Sequence, residues 1–432
     1  MSLRRFAMML LLTTAIIAVA GYWSPDAGRL GLWRFPAALL LLGLAYESWV
    51  VAHSGVACRF EPPERFLLGR DATVRFVLEH GLRRNLELQL APSAPDSFEM
   101  RGGIARLRIP PGVAAAIERR VIPSRLGTHA WPSLRARVAG PLHLAWWPKQ
   151  LAGGSPVRVL PDLFRSHAEV RTMAASGRKP VMEVGAGAEV LRLREYRAGD
   201  APRVVDWKAT ARAGRLISRD FAQDTRLEIV IAVDAGRASA LRAGTLDRFG
   251  HYVNVAARLA QHAAAHDDLI GLIVYADRPL AALAPARGAP AVARLREVLA
   301  AARVERSESN PLYAAMRVRS LVRHRSLIVM LTDVDDATAA SQLLQAVRLL
   351  LPKHLPFVAG LSSEAAETMA GAPARHWLDP YRTLAAQEYC NGLARKVRAL
   401  NALGAPALAA RPERLDHAVF AAYEEFRRHR RA

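Results

Sequence analysis

The chain has 432 residues, 51% of them hydrophobic, which is enough to bury a sizeable core in two or three domains and excludes a disordered tail. Sixty Lys+Arg stand against 39 Asp+Glu, a formal charge of +21, and the basic residues, nearly all arginine, are spread from end to end. Such a spread implies general attraction to anionic surfaces, lipid headgroups included, rather than one nucleic-acid footprint. The two cysteines, Cys58 and Cys390, exclude a disulfide framework or a thiolate zinc site.

Phe6 to Trp23 is an uncharged apolar run as long as a helix needs to cross a bilayer core, and Phe35 to Ala52 is a second, interrupted only by Glu47. A short turn, Ser24 to Arg34, carries Pro25, Gly28 and Gly31. Trp23, Trp33 and Trp49 lie near the ends, where amphipathic rings prefer the headgroup zone. Arg4 and Arg5 precede the first run, and Arg59, Arg65 and Arg70 follow the second, which predicts both ends inside. Residues 1–55 therefore read as a transmembrane helical hairpin that leaves the rest of the chain cytoplasmic. A cleaved signal peptide ending near Ala18-Val19-Ala20 is the rival reading, and the second apolar run argues against it. Glu47 is either a pairing or functional group inside the membrane or a side chain that reaches the interface.

From 56 to 163 the period becomes two. In Val74 to Leu78, Leu86 to Leu90 and Leu134 to Val138 one parity is apolar and the other mostly polar, and prolines and glycines punctuate the runs. Short alternating strands with frequent turns predict an antiparallel β-sandwich. Residues 164–225 form a linker and a charged segment, "LRLREYRAGDAPRVVDWKATARAGRLISRDF" at 191–221. There Gly199-Asp200 reads as a turn into a helix, with Asp200 as N-cap, Pro202 in the first turn, Arg203 to Arg212 helical and Gly214 as the stop. On that helix Arg203 and Asp206 stand three apart, Lys208 and Arg212 four apart, and Trp207 is placed as a buried anchor. Leu216 to Phe221 reads as a strand.

Residues 226–432 alternate strands with helices. "RLEIVIAVDA" ends in Asp234; a helix from Thr245 to His266, "DLIGLIVYAD", helices near Ala291 to Ala302 and Leu312 to His324, "SLIVMLTD" ending in Asp333, a helix from Ala337 to Leu351, "LPFVAGL" and further helices follow. This pattern predicts an α/β, mainly parallel, doubly wound sheet. Ligand groups in such sheets gather beyond the carboxyl ends of the strands, where Asp234 and Asp333 fall.

Most catalytic motifs are excluded. No GxxxxGK[ST] loop occurs, and "GAGAEV" at 185–190 lacks a third glycine and reads as a flexible lead into the next strand. His262 and His266 have metal-ligand spacing, but no Glu completes HExxH and no third ligand is evident, so the pair reads as a solvated helix face. Asp234 and Asp333 could share a divalent cation if hydroxyls or waters complete the oxygen set.

The α/β part resembles a von Willebrand factor A domain, whose metal site uses Asp-x-Ser-x-Ser after the first strand, a Thr on a second loop and an Asp after a later strand. Here the first loop reads Asp234-Ala235-Gly236-Arg237-Ala238, without either serine, and "SNPLYAAM" has Asn310 in the Thr place. Asp333 matches the last position, and Ser239 and Asn310 are the possible substitutes. The resemblance thus implies a degenerate site with at most weak Mg²⁺ binding. Arg194, Glu195, Tyr196, Gly199, Asp200, Arg203, Asp206, Trp207, Lys208, Ala211 and Arg212 closely resemble the signature of the domain-of-unknown-function 58 family. "IPSRLGTHAWPSLRARVAGPLHLAWW" is similar to that family's preceding sandwich, with Leu126 and His143 in an Arg and a Gly place, and "LDHAVFAAYEEFRRH" to its C-terminal helix. The resemblance implies a multi-pass protein of the bacterial cytoplasmic membrane, partnered with a MoxR-type AAA+ ATPase and concerned with assembly or activation of other proteins or with the cell envelope.

For the charged segment, opposed charges beside Trp207 and Tyr196 suit an ion-pair network that locks it against the sheet, or a docking face rich in Trp, Tyr and Arg. Catalysis by Asp200 or Asp206 lacks a matching acid, base and nucleophile. The sequence therefore reads as a non-enzymatic membrane-anchored adaptor without a required cofactor. The rival classes are a metal-dependent hydrolase at Asp234 and Asp333 and a membrane-associated nucleic-acid binder.

Overall fold

The computed structural model describes residues 2–23, 31–91, 93–151, 155–163, 184–222, 227–335 and 337–431. It divides into two compact units, Met1–Leu160 and Pro161–Ala432. Most of the turn expected at 24–34, and the linker residues 164–183 and 223–226, lie outside the described residues.

In the first unit, α1 (Arg5–Tyr22) and α2 (Arg34–Ala52) are long and apolar enough to cross a membrane. They are apolar on all sides, and Phe6, Met9, Leu12, Phe35, Leu41 and Leu42 stand exposed. Ala7 and Leu40 cluster with Leu144, where the helices meet the strands. Among the described residues the strands form three sheets. One runs, in spatial order, Ser2–Leu3, Ala145–Leu151, Leu134–Ala139, Leu86–Ala91 and Ala105–Ile109; another runs Ala57–Glu61, Ala72–Glu79, Ala115–Pro123 and Phe98–Arg101. Every pairing in these two is antiparallel. In the third, Phe66–Leu67 pairs parallel with Pro156–Leu160, which pairs antiparallel with Gly127–Ala130. The alternation read from sequence is the inward parity: Val74, Phe76, Leu78, Leu88, Leu90 and Val138 are fully buried. Trp131 centres this core, stacked on Phe60 at 4.7 Å and edge-on to Phe98 at 5.3 Å.

The second unit opens with an antiparallel ribbon, β1 (Val184–Glu195) and β2 (Ile217–Ala222). "GAGAEV" is part of β1 rather than a loose lead into it. Between the strands lie a 3₁₀ turn at Pro202–Val204 and α3 (Trp207–Ala213). The single helix expected from Arg203 to Arg212 does not form, because Val205 is buried and bridges Ser218, which holds the backbone extended until Asp206.

A six-stranded mixed sheet follows: β3 (Glu228–Asp234), β4 (Leu269–Tyr275), β5 (Pro279–Ala286), β6 (Leu327–Leu331), β7 (Leu355–Leu361) and β8 (Ala407–Ala410), in spatial order β5-β4-β3-β6-β7-β8. All neighbours are parallel except β5, which is antiparallel to β4. The central strands are buried along their length, as their continuous apolar runs require. β5 and β8, both at edges, are built of alanine, leucine and proline and lack the β-branched residues of the central strands; the prolines of β5 are tolerated because an edge strand pairs on one side only. The helices are α4 (Arg248–Ala265), α5 (Gly288–Ala301), α6 (Pro311–Leu321), α7 (Ala337–Leu350), α8 (Glu364–Ala370), α9 (Asp379–Ala402) and α10 (Pro412–Arg431). α4 starts later than expected, since Leu246–Asp247 pairs back on Arg242–Ala243 and Asp247 caps the helix at Gly250 N, 2.7 Å.

Candidate functional site

The charged segment is organised around Asp200. Its carboxylate accepts both terminal guanidinium nitrogens of Arg194 at 2.8 Å, the backbone N–H of Arg197 at 2.9 Å and the Ser218 hydroxyl at 3.0 Å. Arg194 also donates through Nε to Asp220 at 2.8 Å, and Arg192 donates to the other oxygen of Asp220 at 2.9 Å. Arg194 thus bridges two carboxylates, one on β2 and one in the turn, in the forked geometry that suits a guanidinium. The Arg194 hydrogen bond, then those of Arg197 and Ser218, hold the Asp200 carboxyl well below the usual range. Asp220 is held low chiefly by the hydrogen bond from Arg192.

Asp200 is therefore not the N-cap expected of it. The cap is Asp206, which accepts from Ala209 N at 3.0 Å and stands 3.4 Å from Arg219; Gly214, at φ +64°, ends the helix in the left-handed conformation. Arg203, the expected partner of Asp206, is exposed, as are Lys208 and Arg212. Trp207 is 65% exposed and anchors nothing in the core. It is the first residue of α3, directly after the cap, and none of the seven residues of that helix is buried. Gly199, at φ +105°, makes the turn before Asp200, Tyr196 donates its hydroxyl to the Asp200 carbonyl at 3.3 Å, and Glu195 pairs with Arg215.

The crevice beyond β3 and β6 lies where the strand order reverses, the usual ligand position of an open α/β sheet. Asp234 is buried there, and both its oxygens are engaged. Oδ2 accepts the hydroxyls of Thr332 at 2.6 Å and Ser309 at 2.7 Å, and Oδ1 accepts Gly236 N at 2.8 Å. Burial pushes its pKa up against those bonds. Asp333 is paired instead with Arg248, the first residue of α4, whose other nitrogen reaches Asp335 at 2.9 Å. Tyr389 of α9 donates its hydroxyl to that same Asp335 oxygen, and Lys396 of α9 donates to the Asp335 backbone carbonyl. Asn310 spends its side-chain oxygen capping α6 at Tyr313 N, 3.1 Å, and Ser239 is buried with a hydroxyl that has no partner among the described residues.

This donor set does not fit a divalent ion shared by Asp234 and Asp333, since a fixed guanidinium holds one carboxylate and two hydroxyls hold the other. A Cβ at position 236 would stand 3.0 Å from both Cβ and N of Ser309, so the serine of the metal-binding pattern would fit only if those neighbours gave by a few tenths of an ångström. Sequence reasoning missed Ser309, Thr332 and Arg248. The first two adjoin Asn310 and Asp333, the positions that were considered; nothing in the sequence points to Arg248.

Two further placements correct or settle earlier expectations. His262 and His266 do not form a solvated face: His262 is fully buried, with its Nε2 2.8 Å from Glu424 of α10. Glu47 is a pairing group. Its carboxylate accepts Leu142 N, Leu144 N, Ala145 N and Trp147 Nε1 at 2.9 to 3.2 Å, seated over Gly140. His143, within that loop, sits at φ +57°, a conformation that glycine adopts more readily.

Two N-terminal apolar helices, several antiparallel sheets and a mixed α/β sheet with its charged ribbon define the class of molecule. The model of one family, described as "Protein of unknown function DUF58", matches residues 192–356. Among solved structures the chain is similar to the conserved hypothetical protein BatB from Bacteroides thetaiotaomicron, at 13% identity and TM-score 0.31, over 46% of this chain and 98% of that one. It is similar to a FixG-related protein from Vibrio parahaemolyticus at 8% identity and TM-score 0.18, over 24% and 96% of the two chains. The cupredoxin domain of amoB from Nitrosocaldus yellowstonii is similar at 14% identity and TM-score 0.14, over 21% and 55%. No curated protein matches the sequence.

Proposed function

We propose that the chain is a membrane-anchored, non-enzymatic adaptor whose von Willebrand factor A-like unit docks a protein partner through the segment around Trp207. The observation that carries this reading is an exposed tryptophan on a short helix whose flanking strands are braced by Arg192, Arg194, Asp200 and Asp220. Leu193 and Leu216 of the same segment are also exposed. A rigid mount with large apolar side chains facing water is what an interface anchor needs, because little ordering entropy is lost on binding. The strand order, with one antiparallel edge, supports the von Willebrand factor A reading. The signature resemblance is the ground for expecting a MoxR-type AAA+ ATPase as partner, and the two apolar helices for a cytoplasmic-membrane location. Catalysis at Asp234 and Asp333 has less support, since their oxygens are already engaged within the protein.

The test is capture of the ATPase from native membranes by the wild-type chain and by Trp207→Ala. The variant should melt within about 0.5 kcal/mol of wild type, as surface substitutions do, and capture little or none. A variant that melts normally and captures as well as wild type would remove this helix from the interface.

A further inference from the structure

α10 crosses the last turn of α4, and three potential ligands converge where they meet. His262 and His266 stand one helical turn apart, so both rings lie on the face that α10 covers. From α10, Phe420 and Tyr423 pack on the His262 ring at centroid distances of 5.3 and 5.4 Å, and between them they set the approach of Glu424. Glu424 Oε1 lies 2.8 Å from His262 Nε2 and 3.9 Å from His266 Nε2, and the three ligand atoms all lie within 4.8 Å of one another. A tetrahedral zinc ion with bonds of about 2.1 Å needs neighbouring ligand atoms about 3.4 Å apart, a spacing these contacts bracket.

A second observation points the same way. His266 Nδ1 is 3.0 Å from the His262 carbonyl oxygen, and donation to it fixes the tautomer and leaves Nε2 as a bare lone pair turned to Glu424. The Nδ1 of His262 is buried with no partner among the described residues, so that ring can carry its hydrogen there at no loss of another bond when Nε2 binds a metal. Arg427 of α10 lies near His266. Arg427 itself is spent on Asp268 at 2.9 Å and on the Tyr423 hydroxyl at 3.0 Å. His266 and Glu424 keep 24% and 15% of their side chains exposed, which leaves an entry path and room for a water as fourth ligand.

We propose that His262, His266 and Glu424 form a three-ligand site for Zn²⁺ that clasps α10 to α4. The ion takes the place of the hydrogen between His262 Nε2 and Glu424, which the ring then carries on Nδ1, and two neutral imidazoles with one carboxylate make a donor set that suits Zn²⁺ better than Mg²⁺ or Ca²⁺.

The test uses the full chain in detergent, carrying no polyhistidine tag and stripped with a chelator, titrated with Zn²⁺ against a chromogenic competitor and separately with Co²⁺. One Zn²⁺ per chain should bind, and Co²⁺ should give visible d–d bands from a low-symmetry site. His266→Ala and Glu424→Gln, both at partly exposed positions, should each weaken Zn²⁺ by at least the roughly tenfold to hundredfold that loss of a supporting group costs, and should abolish the cobalt bands. His417→Ala, an exposed histidine on the same helix, should bind as wild type does. A wild-type chain without stoichiometric Zn²⁺ or cobalt bands overturns the proposal, and so does unchanged affinity in both ligand variants.

Discussion

At the scale of single residues, the charged segment shows how far identity and environment diverge. Sequence spacing places Asp200 as a cap and Trp207 as a core anchor; in the fold Asp200 is the centre of an arginine fork and Trp207 faces water. The residue types were legible, and their roles were not, because both roles depend on whether the backbone at Val205 is helical or extended. That choice is made by a bridge to Ser218, thirteen residues on. The fork has a consequence for acid stability. A carboxyl held below its unfolded pKa contributes stability that is complete above about pH 4 and is lost as pH falls toward the folded value. Asp200 is such a group, held low first by Arg194. Melting curves of wild type and Asp200→Asn should therefore differ most near neutrality and converge as the pH is lowered below about 4. A gap that stays constant down the titration would mean that the Asp200 charge contributes nothing.

At the scale of elements, two junctions are held by a buried carboxylate that organises the backbone of another segment. Glu47 ties α2 to the Gly140–Trp147 loop through three backbone N–H groups and an indole. Glu47→Ala leaves those donors without an acceptor and should cost about 3 kcal/mol or more, since each unmet buried donor costs about 1–3. Gly140→Ala should destabilise in the same sense, because its new Cβ would fall 2.0 Å from the Glu47 carboxyl carbon. Thermal melts of the full chain in detergent measure both; wild-type curves for either would show that the contact is not a lock. Asp234 does the same for the loops after β3 and β6. Because its oxygens and Asp333 are already engaged, millimolar Mg²⁺ should leave the melting temperature unchanged, where a site a hundredfold above its dissociation constant would add about 2.7 kcal/mol. A clear rise that Asp234→Ala removes would restore the metal reading.

At the scale of the whole molecule, the proposed membrane anchor carries a prediction of orientation. With Arg4-Arg5 before α1 and Arg59, Arg65 and Arg70 after α2, reporter fusions at residue 28 should read outside, and fusions at residue 60 and at the C-terminus inside. A mature chain beginning at Gly21 would leave a single span instead. Much of the architecture needed no coordinates. Two apolar runs of membrane length, the second broken only by Glu47, the alternation around Val74, Leu88 and Val138, and the solid apolar strands ending in Asp234 and Asp333 are local patterns, and local patterns survive in sequence because the surroundings of each face dictate them. The edge strands Pro279–Ala286 and Ala407–Ala410 are apolar too, but they are made of alanine, leucine and proline, which do not mark a strand, so nothing local singles them out. The sites were decided by tertiary structure alone. Glu424 reaches His262 across 162 residues, Arg248 reaches Asp333 across 85 and Glu47 reaches Leu144 across 97. Which buried charge meets which partner is settled by how helices and loops pack once the core has formed, and spacing along the chain holds no record of it.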